Sequence, residues 1–188
     1  MTTKTMAVPA PWRTQVQRVL ITPDQLARRV RQMARQLERD YAGHDLVMVA
    51  LLTGTIPFLA DLMRHLRLPL RLDFLGISSY RQRTRPGRLV LTKDLRLDVR
   101  GRDVLVVDDI LDTGRTMRRV LDKLEPLGPR SIRTCVLLDK KSRRLEAIEA
   151  DYAGFEIPDL FVVGYGLDYA ERLRNLPFVG VLSPELCK

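Results

Sequence analysis

The sequence has little of what marks secreted, disulfide-bonded or membrane-inserted proteins. Its 188 residues include two cysteines, Cys135 and Cys187, whose spacing fits neither a disulfide framework nor a metal motif. No apolar run approaches the length of a membrane span, and the first residues contain no apolar signal-peptide core. We therefore expect a cytoplasmic protein with no membrane partner, in which Cys135 is a core residue.

Acidic residues are scarce relative to basic ones: 23 Asp and Glu face 32 Lys and Arg, and the formal net charge is +9. Such an excess is common in proteins that bind nucleic acid. Between residues 16 and 41, however, the apolar side chains form one helical stripe and the arginines lie largely off it, which is typical of a solvated helix face. We favour the solvated face over a binding face and do not expect nucleic acid as a partner. The arginines are Arg28, Arg29, Arg31, Arg35 and Arg39.

The most informative stretch runs from Val104 to Met117 and reads VLVVDDILDTGRTM. Its opening run of branched apolar residues is typical of a parallel strand covered on both faces. From Met117 onward the apolar residues recur with helical spacing. The polar residues in between therefore follow the carboxyl end of a strand, which is where open α/β sheets bind ligands.

These polar residues suit a ribose phosphate. Gly114 permits positive φ or close backbone approach, and the first N–H groups of the helix, with the hydroxyls of Thr113 and Thr116, form a phosphate cradle. Asp108 and Asp109 would repel that phosphate, so we expect them to face hydroxyls or a cation. The lysine of a Walker A loop and the three glycines of a dinucleotide loop are both missing. The alternative is a surface turn rich in Asp, Thr and Gly.

The remaining pattern predicts a doubly wound α/β protein, organised as one domain over residues 1–188 with an amino-terminal arm over residues 1–14. Thr22, Pro23 and Gln25 predict a capped helix that ends near Tyr41. A second helix is predicted to open at Thr53 and to end near Leu66, and a flexible loop spans Ser78 to Gly87. The predicted strands are Leu46–Leu52, Leu70–Ile77, Val104–Val107, Arg133–Leu138 and Leu160–Val163.

The Asp-Asp loop resembles the signature of the type I phosphoribosyltransferases, which bind phosphoribosyl pyrophosphate. Later blocks resemble the hypoxanthine-guanine phosphoribosyltransferases in order and spacing, and the resemblance covers roughly residues 18–182. The blocks are Leu137-Leu138-Asp139-Lys140, residues 154–159 (GFEIPD) and residues 161–169 (FVVGYGLDY).

This resemblance implies a type I phosphoribosyltransferase fold. Its central, mainly parallel twisted sheet is flanked by helices, with a flexible loop and a small hood built from the N-terminal strand region and the C-terminal segment. It also implies that the chain transfers the phosphoribosyl group to hypoxanthine or guanine with Mg²⁺ as cofactor. Homodimers or homotetramers are implied as well.

The resemblance further assigns roles to residues. Asp112 matches the general base. The phosphoribosyl group would be bound by Asp108, Asp109, Asp112, Thr113, Gly114, Arg115 and Thr116. The purine would be bound by Lys140, Phe161, Val162 and Asp168, the pyrophosphate by Thr53, Gly54 and Arg174, and Mg²⁺ by Asp108, Asp109 and Asp168. Ser79 and Tyr80 match the start of the flexible loop.

Some of these residues, taken singly, also fit ordinary structural positions. Lys140 lies in a basic cluster and is by itself more typical of a surface charge. An ammonium there would nevertheless donate to the exocyclic oxygen of a 6-oxopurine, and it would exclude adenine, whose amino group is also a donor. Phe161 fits a core position, and Arg174 fits a solvated helix charge. Thr53 departs from the family, which has lysine there, in a loop that often contains a non-proline cis peptide in relatives.

Two classes of function stay open at this point. The first is a purine salvage enzyme, for which a preference for xanthine is an alternative to hypoxanthine and guanine. The second is a regulator of the same fold that binds RNA, supported by the net charge of +9. Asp112 and Lys140 favour the enzyme, because a protein that only binds RNA needs neither residue.

Overall fold

The computed structural model describes residues 6–79 and 89–186, which form two β-sheets and three α-helices. The larger sheet has six strands in the order β4-β3-β2-β5-β6-β7. Its strands are β2 (Leu46–Leu52), β3 (Leu70–Ser79), β4 (Leu89–Lys93), β5 (Asp103–Leu111), β6 (Ser131–Asp139) and β7 (Tyr152–Glu156). All neighbours are parallel except β3 and β4. The predicted α/β fold with a mainly parallel central sheet is therefore confirmed.

The middle strands are apolar on both faces because helices cover both sides of the sheet. One face packs against α1 (Pro23–Asp40) and α2 (Ile56–His65), and the other face packs against α3 (Arg115–Leu124). Cys135 is buried within β6, as predicted. This two-sided burial explains the uninterrupted apolar runs of β2, β5 and β6.

The helix α1 begins as the sequence predicts. The Thr22 hydroxyl accepts from the Gln25 N–H, and the Gln25 side chain accepts from the Thr22 N–H, so a reciprocal capping box is present. Pro23 occupies the first turn, where a missing N–H costs nothing.

A smaller antiparallel sheet combines the two ends of the chain. Its strands are β1 (Val16–Ile21), β9 (Val179–Leu182) and β8 (Val162–Val163), in the order β1-β9-β8. Beneath them lies a separate apolar cluster that Trp12 of the arm helps to cover. This sheet is the hood that the resemblance implied.

Several predicted boundaries are wrong. The aspartates Asp108 and Asp109 belong to the end of β5 rather than to a loop, because β5 continues pairing with β6 as far as Leu111. Likewise β3 includes Ser78 and Ser79, which are part of the predicted loop, and the rest of that predicted loop, from Tyr80 to Gly87, lies outside the described residues.

The second helix begins at Ile56 rather than Thr53, and β8 is shorter than predicted. No helix among residues 6–79 and 89–186 is long and apolar enough to cross a bilayer.

Candidate active site

A cavity of about 250 Å³ opens at the carboxyl ends of β2, β3 and β5. Its wall is formed by residues 108–114, Thr116 and Met117, with Leu51, Leu52, Gly54 and Ile77 opposite. Three strand ends thus meet at one point, as expected for this class of sheet, and the polar side chains come from β5 and the residues that follow it.

Gly114, a member of the predicted phosphate cradle, adopts the positive φ that its residue type permits. This glycine precedes the first residue of α3 and has φ +87°, a conformation that other residues rarely adopt. It is also tightly packed, since a Cβ there would lie 3.0 Å from the Cβ of Glu146. Thr113 and Thr116 line the cavity, whereas Arg115 is exposed and its side chain is not part of the lining. The hydroxyls and the helix amino terminus therefore face the same space.

Asp108, which is buried, and Asp109, which is partly buried, form an acidic pair that lines the cavity. The Thr55 hydroxyl donates to Asp108 Oδ1 at 3.2 Å, and the backbone N–H of Asp109 donates to the same oxygen at 2.9 Å. Burial raises the pKa of the Asp108 carboxyl, and the neighbouring charge of Asp109 raises it further. Burial also raises the pKa of Asp109. Two carboxylates held this way favour a cation or hydroxyl donors nearby.

Thr55 was missed by the sequence reasoning. It lies between the predicted pyrophosphate loop and α2, and it is buried against Asp108. A threonine before a helix is expected to act as a cap, but its side chain makes no capping hydrogen bond here.

Asp112 and Lys140 approach each other from neighbouring strands. Lys140 follows β6 directly, and its Nζ lies 3.9 Å from Asp112 Oδ2. Only 7% of Lys140 is exposed, so the surface-charge alternative is wrong. Arg143 Nε lies 3.6 Å from Asp112 Oδ1, an oxygen that is buried and accepts no hydrogen bond from any described residue. An ammonium and a carboxylate with unused acceptor capacity therefore stand side by side at the rim.

Arg144 connects the segment after β6 to Asp112, just after the end of β5. The sequence did not reveal this contact. Its guanidinium donates to the Asp112 carbonyl at 3.0 Å and forms an ion pair with buried Asp139. The N–H groups of Leu145 and Glu146 both donate to the Thr113 carbonyl. In the sequence Arg144 is one member of a basic cluster, and no local signal separates it from its neighbours.

The tail of the chain carries the other predicted purine-binding residues, and these lie outside the cavity lining. Phe161 is 46% exposed, so it is not a core residue, and its ring meets Tyr169 edge to face at 6.0 Å between centroids. Val162 is buried in β8. Neither residue, nor Lys140 or Asp168, lines the 250 Å³ cavity itself, so the predicted purine-binding residues occupy its surroundings rather than its floor.

Arg174 lies in an irregular segment and not on a helix, which excludes the solvated-helix alternative. Its guanidinium donates to the Gly166 carbonyl at 2.9 Å and pairs with Asp168 Oδ1 at 2.9 Å. The charge of Arg174 also opposes the rise in the pKa of Asp109. Arg174 thus connects Asp168 to the acidic pair electrostatically.

The loop after β2 touches both β5 and the tail at Gly54. A Cβ on Gly54 would lie 1.8 Å from Asp109 Oδ2, and a Cβ on Gly166 would lie 1.8 Å from the Gly54 carbonyl oxygen. The peptide between Leu52 and Thr53 is cis, as the resemblance implied. Thr53 itself is exposed and is not part of the cavity lining.

Comparison with known proteins agrees with this geometry. The family model for the phosphoribosyl transferase domain matches residues 20–170. The hypoxanthine-guanine phosphoribosyltransferase of Bacillus subtilis is 42% identical over 170 residues, which cover 90% of this chain and 94% of that protein. The chain belongs to the hypoxanthine-guanine phosphoribosyltransferase family.

Solved structures of this family superpose closely. A hypoxanthine phosphoribosyltransferase from Staphylococcus aureus aligns with a TM-score of 0.90 at 38% identity, covering 96% of this chain and 99% of that one. A hypoxanthine-guanine phosphoribosyltransferase from Bacillus anthracis gives 0.83 at 40% identity, covering 89% and 98%.

The family also occurs as part of a larger protein. The bifunctional protein TilS/HprT of Listeria innocua is 45% identical over 172 residues, which cover 91% of this chain but 26% of that protein. This chain thus spans about a quarter of such bifunctional relatives. Membership of the hypoxanthine-guanine phosphoribosyltransferase family favours the enzyme over the RNA-binding regulator.

Proposed function

We propose that the chain transfers the 5-phosphoribosyl group from phosphoribosyl pyrophosphate to hypoxanthine or guanine and releases pyrophosphate. The observation that carries the proposal is the buried Lys140 ammonium, 3.9 Å from Asp112 beside the phosphate cradle at Gly114. A donor to the purine (Lys140), a proton acceptor (Asp112) and a phosphate site (Gly114) would then lie close enough together to contact the reacting base and sugar phosphate.

The phosphoribosyl group would occupy the cavity of about 250 Å³. Its 5-phosphate would accept from the first N–H groups of α3 and from the hydroxyls of Thr113 and Thr116. Asp108 and Asp109 would accept from the two ribose hydroxyls. Hydrogen bonds to ionised carboxylates are among the stronger ones, which favours a hydroxylated sugar over a simple phosphate.

The purine would lie between the tail and the segment after β6. Lys140 would donate to the exocyclic oxygen of a 6-oxopurine, whereas the amino group of adenine would meet it donor to donor. The exposed ring of Phe161 offers a stacking surface, and the backbone of Val162 would read the base edge.

Asp112 would take the proton from the imidazole ring of the purine as the anomeric carbon is attacked. Its Oδ1 accepts no hydrogen bond from the residues that the structure describes, so it has the capacity to accept this one. General base catalysis of this kind contributes about 10²- to 10⁴-fold.

The residues fit Mg²⁺ delivered with the pyrophosphate. Among the described residues there is no group of three or more side chains able to hold a metal alone, which suits an ion bound mainly by substrate oxygens. Asp108, Asp109 and Asp168 would supply the protein oxygens, and a cation there would offset the charge that raises the pKa of Asp108. When bound, Mg²⁺ would neutralise the leaving pyrophosphate. Gly54 and Arg174 would contact that pyrophosphate, and Thr53 could add only backbone groups and a hydroxyl.

A panel of bases tests the proposal. We expect hypoxanthine and guanine to give their nucleoside monophosphates with phosphoribosyl pyrophosphate and Mg²⁺, and adenine to give none, in an absorbance assay. The kcat/KM for xanthine, measured beside them, decides the alternative preference. Turnover of adenine at the rate of hypoxanthine would refute the role of Lys140.

Two neighbouring lysines provide a matched pair of variants. Lys140→Met is expected to lower kcat/KM for hypoxanthine and to narrow its margin over adenine, because the ammonium beside Asp112 is removed. Lys141→Met is the control, since that lysine is largely exposed and pairs with Glu156. Equal effects of the two substitutions would contradict the assignment.

The proposal includes the oligomeric state of the protein. Family membership supports a homodimer or homotetramer, and light scattering after size-exclusion chromatography measures it. If the protein is a monomer at the concentration of the activity assay and still converts hypoxanthine, the proposed oligomer is refuted but the proposed reaction is not.

A further inference from the structure

The outer face of α1 carries four arginines in a row: Arg28, Arg31, Arg35 and Arg39. All four are exposed. At about 100° per residue they fall within an arc of roughly 80°, opposite the buried stripe that contains Val30 and Leu37. The row is about 16 Å long at 1.5 Å per residue. We call these four residues the arginine row.

None of the four side chains forms a hydrogen bond or ion pair with another residue in the described part of the chain. Arg29, on the flank of the same helix, behaves differently because it donates to the carbonyls of Ala153 and Gly154 on β7. The carboxylate of Glu38 accepts from the backbone N–H of Arg67. The arginine row is therefore a line of charge that the fold itself does not use.

The composition of this face restricts the partner. A membrane-surface helix needs an exposed apolar side to insert, but the apolar side of α1 is buried against the sheet. Proteins that bind single-stranded nucleic acid stack bases on aromatic rings, and α1 contains no aromatic residue. Guanidinium groups bind phosphate oxygens in a bidentate manner, and all four charges in the row are arginines.

We propose, in place of the merely solvated face expected from the sequence, that the arginine row binds the phosphate backbone of double-stranded nucleic acid without sequence preference. A duplex presents a rigid line of phosphates, so four regularly spaced guanidinium groups can each neutralise one. Contacts to phosphates alone carry no sequence information. The row lies on α1, whereas the cavity of the candidate active site is formed by other segments, so this binding would be separate from catalysis and would not make the chain a regulator.

The salt dependence of binding measures the number of phosphates. For four contacts the slope of log K against log salt is expected near −3.6 for a duplex, a loss of about 150-fold in affinity between 50 and 200 mM salt. Fluorescence anisotropy of a labelled duplex of about 20 base pairs, as DNA and as RNA, provides the measurement. A single strand of the same length is expected to bind more weakly.

Two double variants with the same net charge locate the site. Arg31→Gln with Arg35→Gln is expected to halve the slope to about −1.8. Arg96→Gln with Arg100→Gln removes two exposed arginines elsewhere and is expected to leave the slope nearly unchanged. Unchanged thermal unfolding of both double variants would show that the fold is intact.

Three results would overturn the proposal: no binding of the wild type at 50 mM salt, an equal loss in both double variants, or tighter binding of the single strand than of the duplex. Equal losses would mean that net charge acts without a defined surface. Phosphoribosyl transfer is measured on the same samples. If the wild type shows no phosphoribosyl transfer, the proposed function is refuted, but the proposal that the arginine row binds a duplex is not.

Discussion

Replacing Gly166 by alanine is expected to separate two loops of the candidate active site. A Cβ at this position would lie 1.8 Å from the Gly54 carbonyl oxygen and 3.0 Å from the Cδ of Pro57. An ordinary contact is about 3.5 Å, so the tail and the loop after β2 must move apart by roughly 1.7 Å. Displacements of about 1 Å in catalytic positions can cost on the order of 100-fold in rate. We therefore expect kcat/KM for phosphoribosyl pyrophosphate to fall about 100-fold.

Stability is expected to fall for two separable reasons. Gly166 has φ +103°, and a side chain there costs about 1 to 2 kcal/mol in backbone strain alone. The clash with Gly54 adds about 1 to 3 kcal/mol. Gly43→Ala is the matched control, because Gly43 also has positive φ, at +77°, yet a Cβ there would meet nothing within 4 Å. Its expected loss is therefore the backbone cost only.

Urea unfolding and steady-state kinetics of the two variants provide the assay. The difference between their free energies of unfolding isolates the clash between the loops. If Gly166→Ala unfolds at the same urea concentration as Gly43→Ala and retains wild-type kcat/KM, then the close approach of Gly54 and Gly166 does not position the site.

Three further predictions follow from single contacts. Asp112→Asn is expected to lower kcat about 10²- to 10⁴-fold with little change in the affinity for phosphoribosyl pyrophosphate, measured by calorimetry and turnover; unchanged turnover would contradict its role as base. Asp73 is buried, which raises its pKa, but hydrogen bonds from Leu97 and neighbouring N–H groups outweigh this and lower the pKa to about 2. Its stabilisation, on the order of 2 kcal/mol, is therefore present above pH 3.8 and lost as pH falls towards 2. Asp73→Asn should accordingly be less stable than wild type at pH 5 and equally stable near pH 2, and a constant gap in urea titrations would refute this. Arg144→Met is expected to cost about 3 to 5 kcal/mol because it leaves buried Asp139 unpaired, whereas adding Asp139→Leu should restore most of the loss; a double variant as unstable as the single one would contradict the ion pair's role.

Much of the fold could be predicted because its signals are local. The capping residues Thr22 and Gln25 placed the start of α1, and continuous branched apolar runs indicated β2, β5 and β6. The positive φ of Gly114 follows from the need for a tight turn between β5 and α3. Each of these features depends on residues within a few positions of one another.

Shorter strands escaped prediction for physical reasons. The strands β7 and β9 each have a central glycine, Gly154 and Gly180, which breaks the apolar pattern. Both glycines are required by packing, since a Cβ would lie 2.4 Å from the Leu137 carbonyl oxygen and 2.6 Å from Cγ1 of Val16, respectively. The feature that hid the strands therefore also allows their neighbours to approach.

Contacts between distant segments could not be predicted either. The bond from Arg144 to the Asp112 carbonyl joins residues 32 positions apart, and the contact between Gly54 and Gly166 joins the loop after β2 to the tail. Nothing in the residue types specifies such pairs, because they depend on how β6 and the hood meet the end of β5. The resemblance to a family supplied roles for Lys140 and Asp168, but it did not reveal Thr55 or Arg144.

The most direct test of the account is to follow phosphorus resonances while the protein, phosphoribosyl pyrophosphate, Mg²⁺ and hypoxanthine react. We expect the resonances of phosphoribosyl pyrophosphate to be replaced by those of inosine monophosphate and pyrophosphate in equal amounts. An unchanged spectrum, or the appearance of ribose 5-phosphate without the nucleotide, would contradict it.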